Sequence, residues 1–179
     1  MFDELITPFT FAFGIVLAFV ITLCAFTVKL DMDAQSYCDD AVHEFVDTSR
    51  ASGYISAEAY IDMMTKIGNT GNLYDIEIMH RSKATVPYVK GDGTEVVGKY
   101  GDSYNAYYKD EILSYIFPDG NADYGNYPLK NGDYLKVTFQ LREPTLGAKI
   151  MRMFSGRTYK TIKGSYGGYV GSLEENGVK

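Results

Sequence analysis

The sequence predicts an α+β protein in which a long N-terminal transmembrane helix continues into an amphipathic stalk and packs on a small antiparallel sheet. Three observations lead there. Pro8 to Val28 holds 21 consecutive residues without a formal charge. From Ala34 to Ser49 apolar residues recur every three or four positions, the period of a helix with one buried face. Beyond Leu73 the period falls to two, that of half-buried strands.

The uncharged run covers roughly 30 Å as a helix, the thickness of a bilayer hydrocarbon core. Its Phe, Val, Ile and Thr content suits a helix poorly in water, but lipid leaves no other way to satisfy the backbone. A buried core helix of this length would need a polar face, and only Thr10, Thr22 and Thr27 could make one. A cleavable signal peptide would need a basic start and an Ala-x-Ala-like end. Here the flanks are Phe2-Asp3-Glu4 and Thr27-Val28-Lys29, so the segment is expected to stay in the mature protein.

Past the span, Ala34, Cys38, Ala41, Val42, Phe45, Val46 and Ser49 form one stripe, with Asp33, Asp39, Asp40, Glu44 and Asp47 on the other side. No Pro or Gly interrupts Ile15 to Ser52, and Gly53 supplies a left-handed stop. One spine from Pro8 to Ser52 follows. Ser56 is placed to cap a second helix to Ile67, with Tyr60, Ile61, Met64 and Ile67 inward and Gly68 ending it. Tyr74, Ile76 and Ile78 alternate with Asp75, Glu77 and Met79 as a strand, and Val86–Lys90 and Thr94–Val97 flank a hairpin tip at Gly91-Asp92-Gly93. Ser103 to Phe117 reads as a helix, with Tyr104, Tyr108, Ile112, Tyr115 and Ile116 on one side and Pro118 ending it. A polar loop runs from Asp119 to Asp133. Leu135, Val137, Phe139 and Leu141 alternate with Lys136, Thr138, Gln140 and Arg142, and a last strand is expected from Thr158 to Tyr166, loosened by Gly164, Gly167, Gly168 and Gly171. Between these strands Leu146, Ile150, Met153 and Phe154 make a short apolar face edged by Lys149, Arg152 and Arg157. That composition suits a helix lying on a membrane surface or on a neighbouring subunit.

The domain plan is therefore a membrane anchor over residues 1–30 and one α+β domain over 31–179, with a helical hairpin at 31–68 and a sheet region at 72–171. The roughly 150 residues beyond the anchor suit one compact domain. Seventeen Lys and Arg stand against 23 Asp and Glu, a net charge of −6, and no basic stripe marks a nucleic-acid partner. Only Lys29 lies near the span, so charge does not code orientation. All 16 tyrosines follow the anchor; with Gly, Asn and Ser they favour an exported, partner-facing surface and an extracytoplasmic domain.

An uninterrupted membrane helix, an amphipathic stalk, a second helix, and a strand, apolar turn and strand ending resemble the order of pilin-like proteins. The nearest resemblance is to the TadE-like minor pilins of tight-adherence (Tad, type IV pilus-related) systems. The segments that carry it are the N-terminal spine, then Asp133 to Glu143, Pro144 to Phe154 and Arg157 to Tyr169. The resemblance implies a non-enzymatic minor pilin at the cell surface, anchored by a single pass in the cell membrane, that assembles into or onto a pilus or secretion apparatus and serves adhesion. Its partners would be the lipid bilayer and other pilin-like subunits or assembly platform proteins. Assembly contacts would fall on Glu4, Phe9, Phe13, Val16, Phe19, Phe45 and Val46, with Glu4 standing in for the acidic residue that pairs a neighbour's N-terminal amine. The alternative is a single-pass extracytoplasmic ligand-binding or accessory domain, with the tyrosines as a glycan surface.

Signs of catalysis are sparse. Cys24 and Cys38 are 14 positions apart, roughly 21 Å along one helix, too far for a disulfide. His43 and His80 are 37 positions apart without ligand spacing and are read as solvated or capping. No nucleophile or phosphate-loop signature occurs, so neither an enzyme nor a cofactor is expected. Asp119, Asn121 and Asp123 set oxygen ligands at alternate positions, but a calcium loop wants Gly sixth and Glu twelfth, where Tyr124 and Lys130 stand. The segment is read as an Asx-turn loop with no metal. Millimolar calcium is accordingly expected to leave the melting temperature unchanged, and a rise of several degrees would overturn that reading.

Overall fold

The computed structural model describes residues 2–89, 95–118, 124–156 and 161–171. A single helix, α1 (Phe2–Ser52), is followed by β1 (Tyr54–Ser56), α2 (Ala57–Gly68), β2 (Tyr74–Val89), β3 (Glu95–Tyr108), α3 (Lys109–Ile116), β4 (Asn126–Pro128), β5 (Tyr134–Leu141), α4 (Leu146–Ser155) and β6 (Lys163–Tyr169). The larger sheet is antiparallel with strand order β3-β2-β5-β6, and β1 pairs with β4 as a separate two-stranded ribbon. The fold is α+β, one long helix laid on small antiparallel sheets.

The α1 stripe meets the sheet at β6 and β5. Cys38, Val42, Phe45 and Val46 are buried against the inward faces of Leu135, Val137 and Phe139. Alternation in β5 makes this possible, because every second side chain faces the helix. The Ser56 hydroxyl accepts the Ala59 amide at 3.1 Å and starts α2, whose Lys66 reaches back to Glu44 of α1 at 2.6 Å. Of the expected inward face Ile67 is buried and Tyr60 and Met64 pack against the core, whereas Ile61 is 45 % exposed and Met63 is buried in its stead.

Positions along α1 serve as a height scale for the rest of the molecule. Gln35 holds the start of β6 by accepting the Lys163 amide at 3.1 Å, and Arg50 donates to the Tyr169 carbonyl at 2.8 Å. Strand β6 therefore runs alongside α1 away from the apolar end. Strand β2 pairs with β5 from Tyr74 to Arg81 and with β3 from Met79 to Val89. Past Arg81 the β2–β3 pair is a two-stranded ribbon that leaves the sheet at the end remote from the apolar segment.

Three expectations are corrected. Residues 103–108 are strand, paired with β2 from Ala84 to Met79, and only Lys109–Ile116 is helical; the tyrosines there suit a pleated ladder better than a helix. Strand β6 begins at Lys163 and ends at Tyr169. The loop before Asp133 contains β4, which pairs with β1. The hairpin tip at 91–93, and Asp119, Asn121 and Asp123, lie outside the described residues.

Glycines in β6 let the helix close on the sheet. A Cβ on Gly164 would stand 2.7 Å from the Phe139 ring and 2.5 Å from the Asp39 carboxylate, and Phe139 is fully buried and unable to yield. Gly164→Ala is expected to cost about 1–3 kcal/mol and lower the thermal midpoint of the detergent-solubilised chain by several degrees. An unchanged midpoint would contradict the close packing of α1 on β6.

Candidate functional site

The most unusual surface is the first half of α1. Between Phe9 and Phe26, ten large apolar side chains are exposed: Phe9, Phe11, Phe13, Ile15, Val16, Leu17, Phe19, Ile21, Leu23 and Phe26. In the most apolar 18-residue window only 6 % is buried within the protein. At about 1.5–3 kcal/mol for each such side chain left in water, the penalty is on the order of 15–30 kcal/mol. That exceeds the 5–15 kcal/mol by which a typical domain is stable. By length and composition the segment can cross a membrane. Among the residues expected to carry assembly, Phe9, Phe13, Val16 and Phe19 lie on this bare surface, while Phe45 and Val46 belong to the domain core. The side chain of Glu4 is outside the described set.

Thr27 is the first buried side chain along this helix among the described residues, and there α4 meets α1, while Leu30 and Met32 beyond it are exposed again. The Thr145 hydroxyl does two jobs at this junction: it accepts the Ala148 amide at 3.0 Å, capping α4, and donates to the Asp31 carboxylate at 2.8 Å. Gly147 allows the contact, since a Cβ there would lie 2.9 Å from the Thr27 Cβ. Leu146 and Met153 are 69 % and 85 % exposed, and Ile150 is half-buried. The side chain of Phe154 is outside the described set. A groove of about 680 Å³ opens between α1, the end of α2 and α4, lined among others by Leu30, Asp31, Tyr37, Lys66 and Leu146. The end of the apolar run, the α4 ledge and this groove are thus at one level of the molecule.

A second polar cluster sits at the opposite end. His80 is buried, its Nε2 lies 2.8 Å from Asp133 Oδ2, and its Nδ1 lies 2.9 Å from the Tyr127 hydroxyl. Both ring nitrogens thus have a partner, a carboxylate on one side and a phenol on the other. Asp133 also accepts the amides of Lys83 and Lys130, each at 2.9 Å. Burial alone would raise its pKa, but those two amides and the His80 ring outweigh burial and hold the carboxyl below its ordinary value. Burial, with the nearby Tyr107, Glu111 and Asp133 charges, pushes Tyr127 up to about 12. A phenol shifted that way is a poor nucleophile at neutral pH, so the cluster works as a pin joining β2, β4 and the residue just before β5.

Against the expectation of a solvated or capping role, His80 is 3 % exposed and fully partnered. Its partners stand 47 and 53 positions away in sequence, where no local pattern records the pairing. His43 is exposed and lies against Tyr166, with ring centroids 3.9 Å apart and planes tilted by 39°. Among the described residues, no three His, Cys, Asp or Glu side chains converge as metal ligands. No family model, curated protein or solved structure matches this chain.

Because the folded Asp133 titrates below its unfolded value of about 3.9, its ionised form stabilises the fold in full above that pH, and the contribution is lost as pH falls through the folded pKa. Asp133→Asn turns an amide NH₂ towards donors already in place and is expected to cost about 2 kcal/mol at neutral pH. In urea titrations the gap to the wild type should shrink as pH drops below about 4. A gap constant with pH would show that the carboxylate charge is not what the pin uses.

Proposed function

We propose that this chain is a membrane-anchored, non-enzymatic pilin-like subunit, held by a single pass in the cell membrane with its domain outside the cytoplasm, that assembles into or onto a pilus or secretion apparatus. The observation that carries the reading is the division of one unbroken helix into a bare apolar half and a half clasped by its own sheet. Such a rod has two coverings available, lipid while it rests in the membrane and equivalent helices once it assembles. Van der Waals packing between helices then replaces packing against acyl chains. The tyrosine-rich β2–β3 ribbon, with Tyr100 and Tyr104 exposed, stands at the far end, where a partner or a surface would be met.

The groove beside α4 favours a second reading, an accessory domain that binds a small ligand near the membrane. Its lining mixes Asp31 and Lys66 with Tyr37 and Leu30, the pairing of an apolar wall with a few polar anchors that ligand sites use.

Single cysteines at Phe13, Val16 or Phe19, introduced with Cys24 removed, test the assembly reading in cells. Oxidative cross-linking is expected to trap dimers and higher species with a helical periodicity along α1, and the chain should leave the cells with sheared surface filaments. Monomers at every position, with the chain remaining in the membrane fraction, would sink assembly and favour the accessory domain.

A further inference from the structure

We infer that α4 is an interfacial foot that docks on the headgroups of an anionic bilayer, seating the domain against the membrane from which α1 emerges; this rests on α1 being a membrane anchor. Height comes first. The uncharged run ends at Val28, and α4 is fixed to α1 at Thr27 and Asp31 through Gly147 and Thr145. A helix tied there lies at the plane where acyl chains give way to headgroups.

Its surface has the chemistry of that plane. Leu146, Ile150 and Met153 share one helical face, two of them more than two-thirds exposed, and Lys149 and Arg152 are exposed beside them. From Pro144 to Lys163 the sequence carries Lys149, Arg152, Arg157, Lys160 and Lys163 and not one acidic residue, in a chain of net charge −6. On α4 itself Lys149 and Arg152 put exposed cations at the end of the apolar run, complementary to anionic lipid, where each basic residue strengthens attraction roughly fivefold. A neighbouring copy is the other conceivable occupant. The chain's acidic excess would offer it charge, but α4 is tethered at the lipid boundary, where headgroups meet it without any assembly. The unbranched Met153, the most exposed apolar side chain among the described residues of the helix, suits a disordered acyl boundary.

The full chain, with Cys24 replaced by Ser and Cys38 left buried, is reconstituted in vesicles of phosphatidylcholine alone or mixed with phosphatidylglycerol. An environment-sensitive dye is placed through Met153→Cys or, as a control on the distal ribbon, Tyr104→Cys. Docking predicts a blue-shifted emission at position 153 on the mixed vesicles, quenched by spin-labelled lipid, with position 104 remaining water-like. Replacing Lys149 and Arg152 together by Gln should return the 153 signal to its level on neutral vesicles and leave flotation after an alkaline wash intact. Water-like emission at 153 with retained flotation overturns the docking and spares the anchor. A shift that lipid quenchers do not touch and that grows with protein density assigns the face to a second copy and likewise overturns it. Loss of flotation overturns the anchor and the docking together.

Discussion

Everything in this molecule is referred to one helix whose two halves present different surfaces. Over Pro8–Phe26 its side chains are apolar on every face and bare; over Ala34–Ser49 the apolar residues narrow to a stripe, and the other face carries Asp39, Asp40, Glu44 and Asp47 among further polar residues. The change costs the backbone nothing, since both halves use the same intrahelical hydrogen bonds. The consequence is mechanical. With no proline or glycine between Ile15 and Ser52, the two halves share one axis, and whatever holds the first half sets the attitude of the domain.

The rest of the fold is distributed along that axis. Thr27 and Asp31 receive α4, Gln35 and Asp39 receive the start of β6, and Arg50 receives its end. From Asp31 to Arg50 is roughly 28 Å of rise. Such close seating needs small residues on the facing strand, and β6 provides Gly164 opposite Asp39 and Gly168 opposite the Arg50 guanidinium. Read in isolation these glycines suggest a loose tail. In the fold they bring a helix and a strand within reach of direct hydrogen bonds.

Much of this was legible in the residues because it depends on local period. The α1 stripe, the alternation of Leu135, Val137, Phe139 and Leu141, and the Ser56 cap each write their structure into neighbouring positions. Residues 103–108 misled because Tyr104 and Tyr108 are spaced like one face of a helix with Ile112. The outcome there is decided by the long partner strand β2, whose ladder a local window does not contain. Strands β1 and β4, three residues each, are too short for a period to register. On the candidate site, the apolar face of α4 could be read from spacing, but not its height, which is set by Gly147 and Thr145 touching residues more than 110 positions earlier.

The buried pin shows how a distant pairing completes what the ladder leaves undone. Strand β5 supplies partners to β2 only as far as Tyr134 opposite Arg81. Beyond that register the next inward amide, that of Lys83, would meet no strand carbonyl. The Asp133 carboxylate takes the carbonyl's place, accepting the Lys83 amide with one oxygen while the other receives Lys130 and His80. His80 in turn is wedged between Tyr107, stacked at 5.6 Å, and Tyr127, edge-on at 5.4 Å. A two-stranded ribbon alone is marginal in water. Bracing its root with one carboxylate extends the four-stranded sheet by two residues. That holds the tyrosine-rich arm at a fixed bearing to α1, so that orientation imposed on the helix at one end is carried to the exposed tyrosines at the other.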